Sequence, residues 1–126
     1  MKPVLLLAIA LLLVACGGGE ADTTSGADDA PAAAVDTANG ETVYLNTCAS
    51  CHGADAMGVD GLGKALAGSA FVADTSESDL VALITTGRPA GDPDNATGVD
   101  MPPKGGNPSL SEQSIRDVVA YLKSLG

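Results

Sequence analysis

The segment Cys48-Ala49-Ser50-Cys51-His52 concentrates reactive side chains. Residues three apart share one side of a helical turn, so both thiols point the same way and the imidazole follows at once. Two thiols so placed can form thioethers with the two vinyl groups on one porphyrin edge, leaving the next residue to face the iron. This is the attachment pattern for c-type haem. Three other chemistries use part of the same set. A thioredoxin-like dithiol needs a strand-to-helix setting, and the flanking sequence offers none. Structural zinc takes four ligands, and two Cys with the chain's only His would have to borrow carboxylates. A Cys48–Cys51 disulfide can form outside the cytoplasm but gives His52 no task.

A haem iron held by His52 has a second axial position, and two internal methionines could supply it. Met57 follows His52 by only five residues, so the chain would have to round the haem edge almost immediately. Met101 lies 49 residues on and is followed by Pro102-Pro103, whose fixed φ angles stiffen the backbone and can hold a thioether towards iron. Met101 is therefore the expected sixth ligand.

These residues need elements to hold them. One helix is expected over 40–47, with Val43 and Tyr44 as apolar anchors. A second spans Glu77–Thr86, where Ser76 with Asp79 suggests a capping box, Leu80, Leu83 and Ile84 share a face, and Gly87 supplies the stop. A third covers 112–125. Ser111 is its N-cap, Leu110 and Ile115 form a hydrophobic staple, and Ile115, Val118, Val119, Leu122 and Leu125 make a stripe at helical spacing. No strand alternation or hairpin signal is present. Segments 53–75 and 87–109 read as long Gly-, Pro- and Asp-rich loops that require something to wrap around.

Taken together, the run from Gly40 through Tyr44, Cys48–Cys51–His52–Gly53, Leu66-Ala67-Gly68, Leu83–Pro89, Met101-Pro102-Pro103 and Tyr121-Leu122 resembles the class I mono-haem cytochromes c of bacterial type, over essentially all of 40–126. The resemblance implies an all-α cytochrome c fold of three to five helices around one covalently bound haem c. It implies His52 and Met101 as axial ligands, Leu66 in the haem pocket, and crossed first and last helices that approach closely at Gly40, beside Tyr44 and Tyr121. Where the family usually has a Pro whose carbonyl accepts the proximal His N–H, this chain has Lys64. A backbone carbonyl is still available there, without the ring's rigidity. Arg88 and Lys104 are candidate partners for a haem propionate or, equally, solvated loop cations. Asp92, Asp94 and Asp100 read as a solvated face or as turn formers.

The first 39 residues read as an address and a tether. Lys2 precedes an apolar run that ends Leu13-Val14-Ala15-Cys16, which resembles a lipoprotein lipobox. The run would reach about 18 Å as a helix, against ~30 Å of hydrocarbon. Residues 1–15 are thus expected to be a signal peptide and Cys16 the lipid-bearing first residue of the mature chain. Gly17 leans towards the outer membrane. Residues 16–39 then form a lipidated, acidic, flexible linker reaching ~26 Å.

Sixteen acids against six bases give a net charge of -10. That excludes unaided binding to nucleic acid. No nucleophile–base set or carboxylate pair suggests an enzyme. The chain has one Phe, two Tyr and no Trp, so side chains alone fill a core poorly, and a porphyrin would supply the missing bulk. The expectation is a lipid-anchored electron shuttle on the periplasmic side of a bacterial membrane, serving a respiratory complex, dehydrogenase or terminal oxidase. The alternatives are a fixed haem subunit of such a complex, or a small-ligand sensor with a labile Met101.

Overall fold

A computed structural model describes residues 33–126. The expected signal peptide, Cys16 and the expected linker up to residue 32 lie outside the described residues. Five α-helices follow: α1 (Thr37–Thr47), α2 (Ala49–His52), α3 (Ala70–Asp74), α4 (Glu77–Thr86) and α5 (Glu112–Ser124). A single 3-10 turn, Pro103–Gly106, precedes α5. Among the described residues there are only two isolated β-bridges, Val59 with Gly63 and Arg88 with Met101.

The crossing of α1 and α5 organises the rest. A Cβ at Gly40 would collide with the backbone carbonyl of Asp117 and lie 3.0 Å from Tyr121 Cβ, so only glycine permits this approach. One turn later Tyr44 is fully buried, its ring 5.6 Å from that of Tyr121. The Tyr44 hydroxyl donates to the Gly53 carbonyl at 2.6 Å, tying α1 to the chain just beyond His52. Burial pushes the Tyr44 phenol up to about 12, with Cys48, Tyr121 and Asp55 adding to it, so it remains a donor at neutral pH. On α5 the stripe Ile115, Val118, Val119 and Leu122 is buried, and Val72 of α3 and Leu80 of α4 are buried with it.

α1 begins at Thr37, three residues before Gly40, because Asp36 is a working N-cap. Its carboxylate accepts from the Ala38 and Asn39 amides at 3.0 and 3.1 Å. α4 keeps the expected bounds, with the Asp79 amide donating to Ser76 Oγ. The reciprocal half of the box differs: Ser76 Oγ itself donates to the Asp79 carboxylate at 2.7 Å. α3 lies in a stretch expected to be loop. Five residues are too few for a periodic signal, and tertiary contacts hold them: Lys123 of α5 donates to the carbonyls of Val72, Ala73 and Thr75, which α3's end leaves open.

Asp117 has no counterpart in the sequence expectations. It is 4% exposed, and its carboxylate accepts from the Asp36 amide (3.0 Å), the Asn39 side chain (2.7 Å) and the Gln113 side chain (2.9 Å). Burial pushes this carboxyl up, but the three donors outweigh it and hold it below its usual range. A depressed folded-state value means the stabilisation is complete above the unfolded value of ~3.9 and is lost as pH falls through the folded one. Asp117→Asn should therefore cost about 1.5–3 kcal/mol at neutral pH. That gap should narrow in acid, as measured by denaturant titration at both pH values.

Candidate functional site

The end of α1, α2, α3, α4 and the start of α5 line an apolar cleft. Cys48, His52 and Met101 all line it, as do Leu66, Ile84 and Leu110. Cys51 is half-buried on α2, with Ser50 Oγ 3.8 Å from its sulfur. Cys48 terminates α1 and its amide donates to the Tyr44 carbonyl at 2.8 Å. The amides of both Cys51 and His52 return to the Cys48 carbonyl, at 3.1 and 3.0 Å, which fixes the motif as one helical turn.

The His52 ring is oriented from behind. Its Nδ1 lies 2.8 Å from the Lys64 carbonyl, which accepts the ring N–H and leaves Nε2 as the free donor atom. The carbonyl anticipated at Lys64 is thus in place without a proline. Packing of the loop supplies the rigidity. A Cβ at Gly63 would collide with the Cys51 carbonyl and lie 3.2 Å from His52 Nδ1. The Gly58 amide donates to the His52 carbonyl at 2.8 Å. Ala56, fully buried at φ 58, accepts from the Leu66 and Ala67 amides at 2.8 and 3.0 Å and folds the loop back against the ring.

Met101 approaches from the other loop. Its amide donates to the Arg88 carbonyl and the Arg88 amide donates to the Met101 carbonyl, both at 2.8 Å. This two-bond bridge locks the backbone on either side of the thioether. Gly87 makes it possible: at φ 74 it ends α4, and a Cβ there would collide with the Met101 carbonyl. Met57, by contrast, is 61% exposed.

The loop between Arg88 and Met101 is braced by its own hydrogen bonds. Asn95 donates to the carbonyls of Pro89 and Val99 and accepts from the Thr97 and Gly98 amides, while Asp100 accepts from the Ala90 amide. Asp92 accepts from the Asp94 amide, so two of the three acids are turn formers. Neither candidate propionate partner is a bare cation. The Arg88 guanidinium carbon lies 5.4 Å from the Phe71 ring centroid and its Nε lies 3.9 Å from Asp92, while Lys104 donates to backbone carbonyls.

The cleft fits a covalently held porphyrin in chemistry: it is lined almost wholly by apolar side chains, a thiol stands at one wall, and an imidazole at the end of α2 and a thioether from the loop after α4 both line it. As a free thiol Cys48 is pushed up to about 11, first by burial and then by Cys51, so it is a poor thiolate at neutral pH. Among the described residues no group of three or more His, Cys, Asp and Glu side chains could hold a metal ion.

Residues 37–126 match the family model described as Cytochrome c. Over 88 residues the chain is 37% identical to a cytochrome c-555 of Prosthecochloris aestuarii, covering 69% of this chain and 85% of that protein. It is also 34% identical over 97 residues to a cbb3-type cytochrome c oxidase subunit CcoP of Rhodobacter capsulatus, which covers 76% of this chain but only 31% of the subunit. No solved structure gives a significant match. Gly63→Ala should cost about 1–3 kcal/mol of stability and free the His52 ring, read as a changed Nδ1 nitrogen chemical shift. Gly61→Ala, whose added methyl meets nothing within 4 Å, should leave that shift unmoved.

Proposed function

The chain belongs to the cytochrome c family and binds haem c covalently, and on that premise we propose that it is a membrane-tethered single-electron shuttle. Cys48 and Cys51 would carry the thioethers, and His52 and Met101 would ligate the iron. The observation that carries this reading is the pair of backbone-anchored donors on one apolar cleft: His52 backed by the Lys64 carbonyl, Met101 pinned by Arg88.

When bound, the haem supplies a one-electron Fe(III)/Fe(II) couple. With both His52 and Met101 bound to the iron, no position would be open to a substrate, which argues against catalysis there. The Met101 thioether is soft and neutral and favours Fe(II), raising the potential relative to a second imidazole. The apolar wall works in the same direction, because it penalises the extra positive charge of the oxidised site. The Lys64 carbonyl holds the His52 ring and the Arg88 bridge holds the Met101 backbone, so both donors would be fixed before the haem changes charge.

The expected tether adds reach. An acyl-anchored Cys16 followed by an acidic linker keeps the domain near membrane partners and raises their effective concentration. Residues 40–126 carry eleven acids and five bases, and Met57, Val59 and Leu62 stand exposed near Asp55 and Asp60. A redox partner with a basic or largely apolar docking patch fits this surface. The similarity to CcoP favours a second reading, a haem subunit held in one oxidase complex; co-purification of a fixed stoichiometric partner would select it. The raised Cys48 thiol weighs against a thiol oxidoreductase.

Optical and redox titration of haem-loaded protein tests the core of the proposal. Met101→Ala should abolish the iron–sulfur charge-transfer band and lower the potential, and Met57→Ala should do neither. The reverse pattern would reassign the ligand. Carbon monoxide should leave the ferrous spectrum unchanged at neutral pH; full conversion would make the protein a sensor. Cys16→Ser should move the protein from the membrane to the soluble fraction, and an unchanged distribution would remove the lipid anchor.

A further inference from the structure

We propose that Lys104 is a positioning residue that holds Met101 in the cleft by clamping its loop to the start of α5. The inference rests on the reading of Met101 as an axial ligand.

The Met101 backbone itself is locked by the Arg88 bridge, through both its amide and its carbonyl. After Met101 the chain passes Pro102 and enters the Pro103–Gly106 turn, and there the restraint is a side chain. Lys104 Nζ donates to the Leu110 carbonyl at 2.8 Å and to the Pro108 carbonyl at 3.4 Å. Leu110 stands immediately before Ser111, the N-cap of α5, and lines the cleft together with Met101 and Lys104. The ammonium therefore ties the ligand loop to the helix that crosses α1.

The Lys104 backbone supports the same assignment. It sits at φ 54, ψ 29, a left-handed conformation that disfavours any residue with a Cβ. Gly105 and Gly106 follow, also at positive φ, so this is a turn in which glycine is the natural occupant. A strained residue persists where its surroundings over-determine it, and here the side chain does so by binding two carbonyls across the turn. Two of its three N–H donors are committed in this way, so Lys104 is a strap across the mouth of the Met101 loop.

The test is imidazole binding to the ferric, haem-loaded protein, followed by stopped flow. At saturating imidazole the rate reports how often Met101 leaves the iron. Lys104→Met keeps most of the aliphatic stem and removes the donors. It should raise that rate about tenfold, the scale of a lost charge-assisted hydrogen bond. Lys104→Gly also relieves the backbone strain, so its rate should rise as well while its unfolding midpoint holds or increases, which separates loop opening from global destabilisation. Arg116→Met removes the same charge from an exposed α5 position paired with Glu112 and should keep the wild-type rate. Wild-type rates in both Lys104 variants would overturn the clamp, as would a rise in Lys104→Met alone that merely tracks its unfolding rate. A wild-type protein lacking the iron–sulfur band would fail at the earlier step, the Met101 assignment.

Discussion

The contact on which the remaining structure depends is the crossing of α1 and α5 at Gly40. The absence of one methyl group lets the two backbones meet, and that approach buries Tyr44 against Tyr121 and aligns Asp117 with the start of α1. Each candidate ligand is then reached from one of the two crossed helices. His52 lies five residues past the end of α1 and is steadied by the Tyr44 hydroxyl on Gly53. Met101 is joined to α5 through Lys104 and Leu110. Two donors far apart in sequence are thus referred to one rigid joint.

Much of this was legible because it depends on short-range chemistry. The CxxCH turn, the Ser76 and Ser111 caps and the α5 stripe are set by residues within one or two turns of each other, and α4 and α5 lie where those signals put them. The preference for Met101 over Met57 rests on chain geometry; Met101 lines the cleft and Met57 is turned to solvent. Gly40 and the Lys64 carbonyl were legible by likeness to a family, and both positions have structural reasons of their own: a backbone collision in one case and a 2.8 Å hydrogen bond in the other.

The features that escaped are those whose partners lie far along the chain. Asp117 looks like a surface acid on an amphipathic helix until Asp36 and Asn39 arrive from 81 and 78 residues away. The five residues of α3 carry no period, and their carbonyls are satisfied by Lys123. The segment 88–101 reads as a loose acidic loop because nothing local announces that its ends pair as a bridge or that Asn95 satisfies its interior. For Asp117 and α3 the deciding contact is a long-range hydrogen bond to a backbone group, which composition and periodicity do not encode.

The Asp36–Asp117 contact also governs how the domain bears tension. Any pull applied to the chain ahead of Asp36 enters at an amide bonded to a buried carboxylate on α5. Such a pull is therefore resisted by both crossed helices before it can fray the first turn of α1. The first turn of α1 is thus stapled to α5 by a side chain 81 residues away, and the N-terminal edge of the domain is closed by a contact that no neighbouring residue supplies.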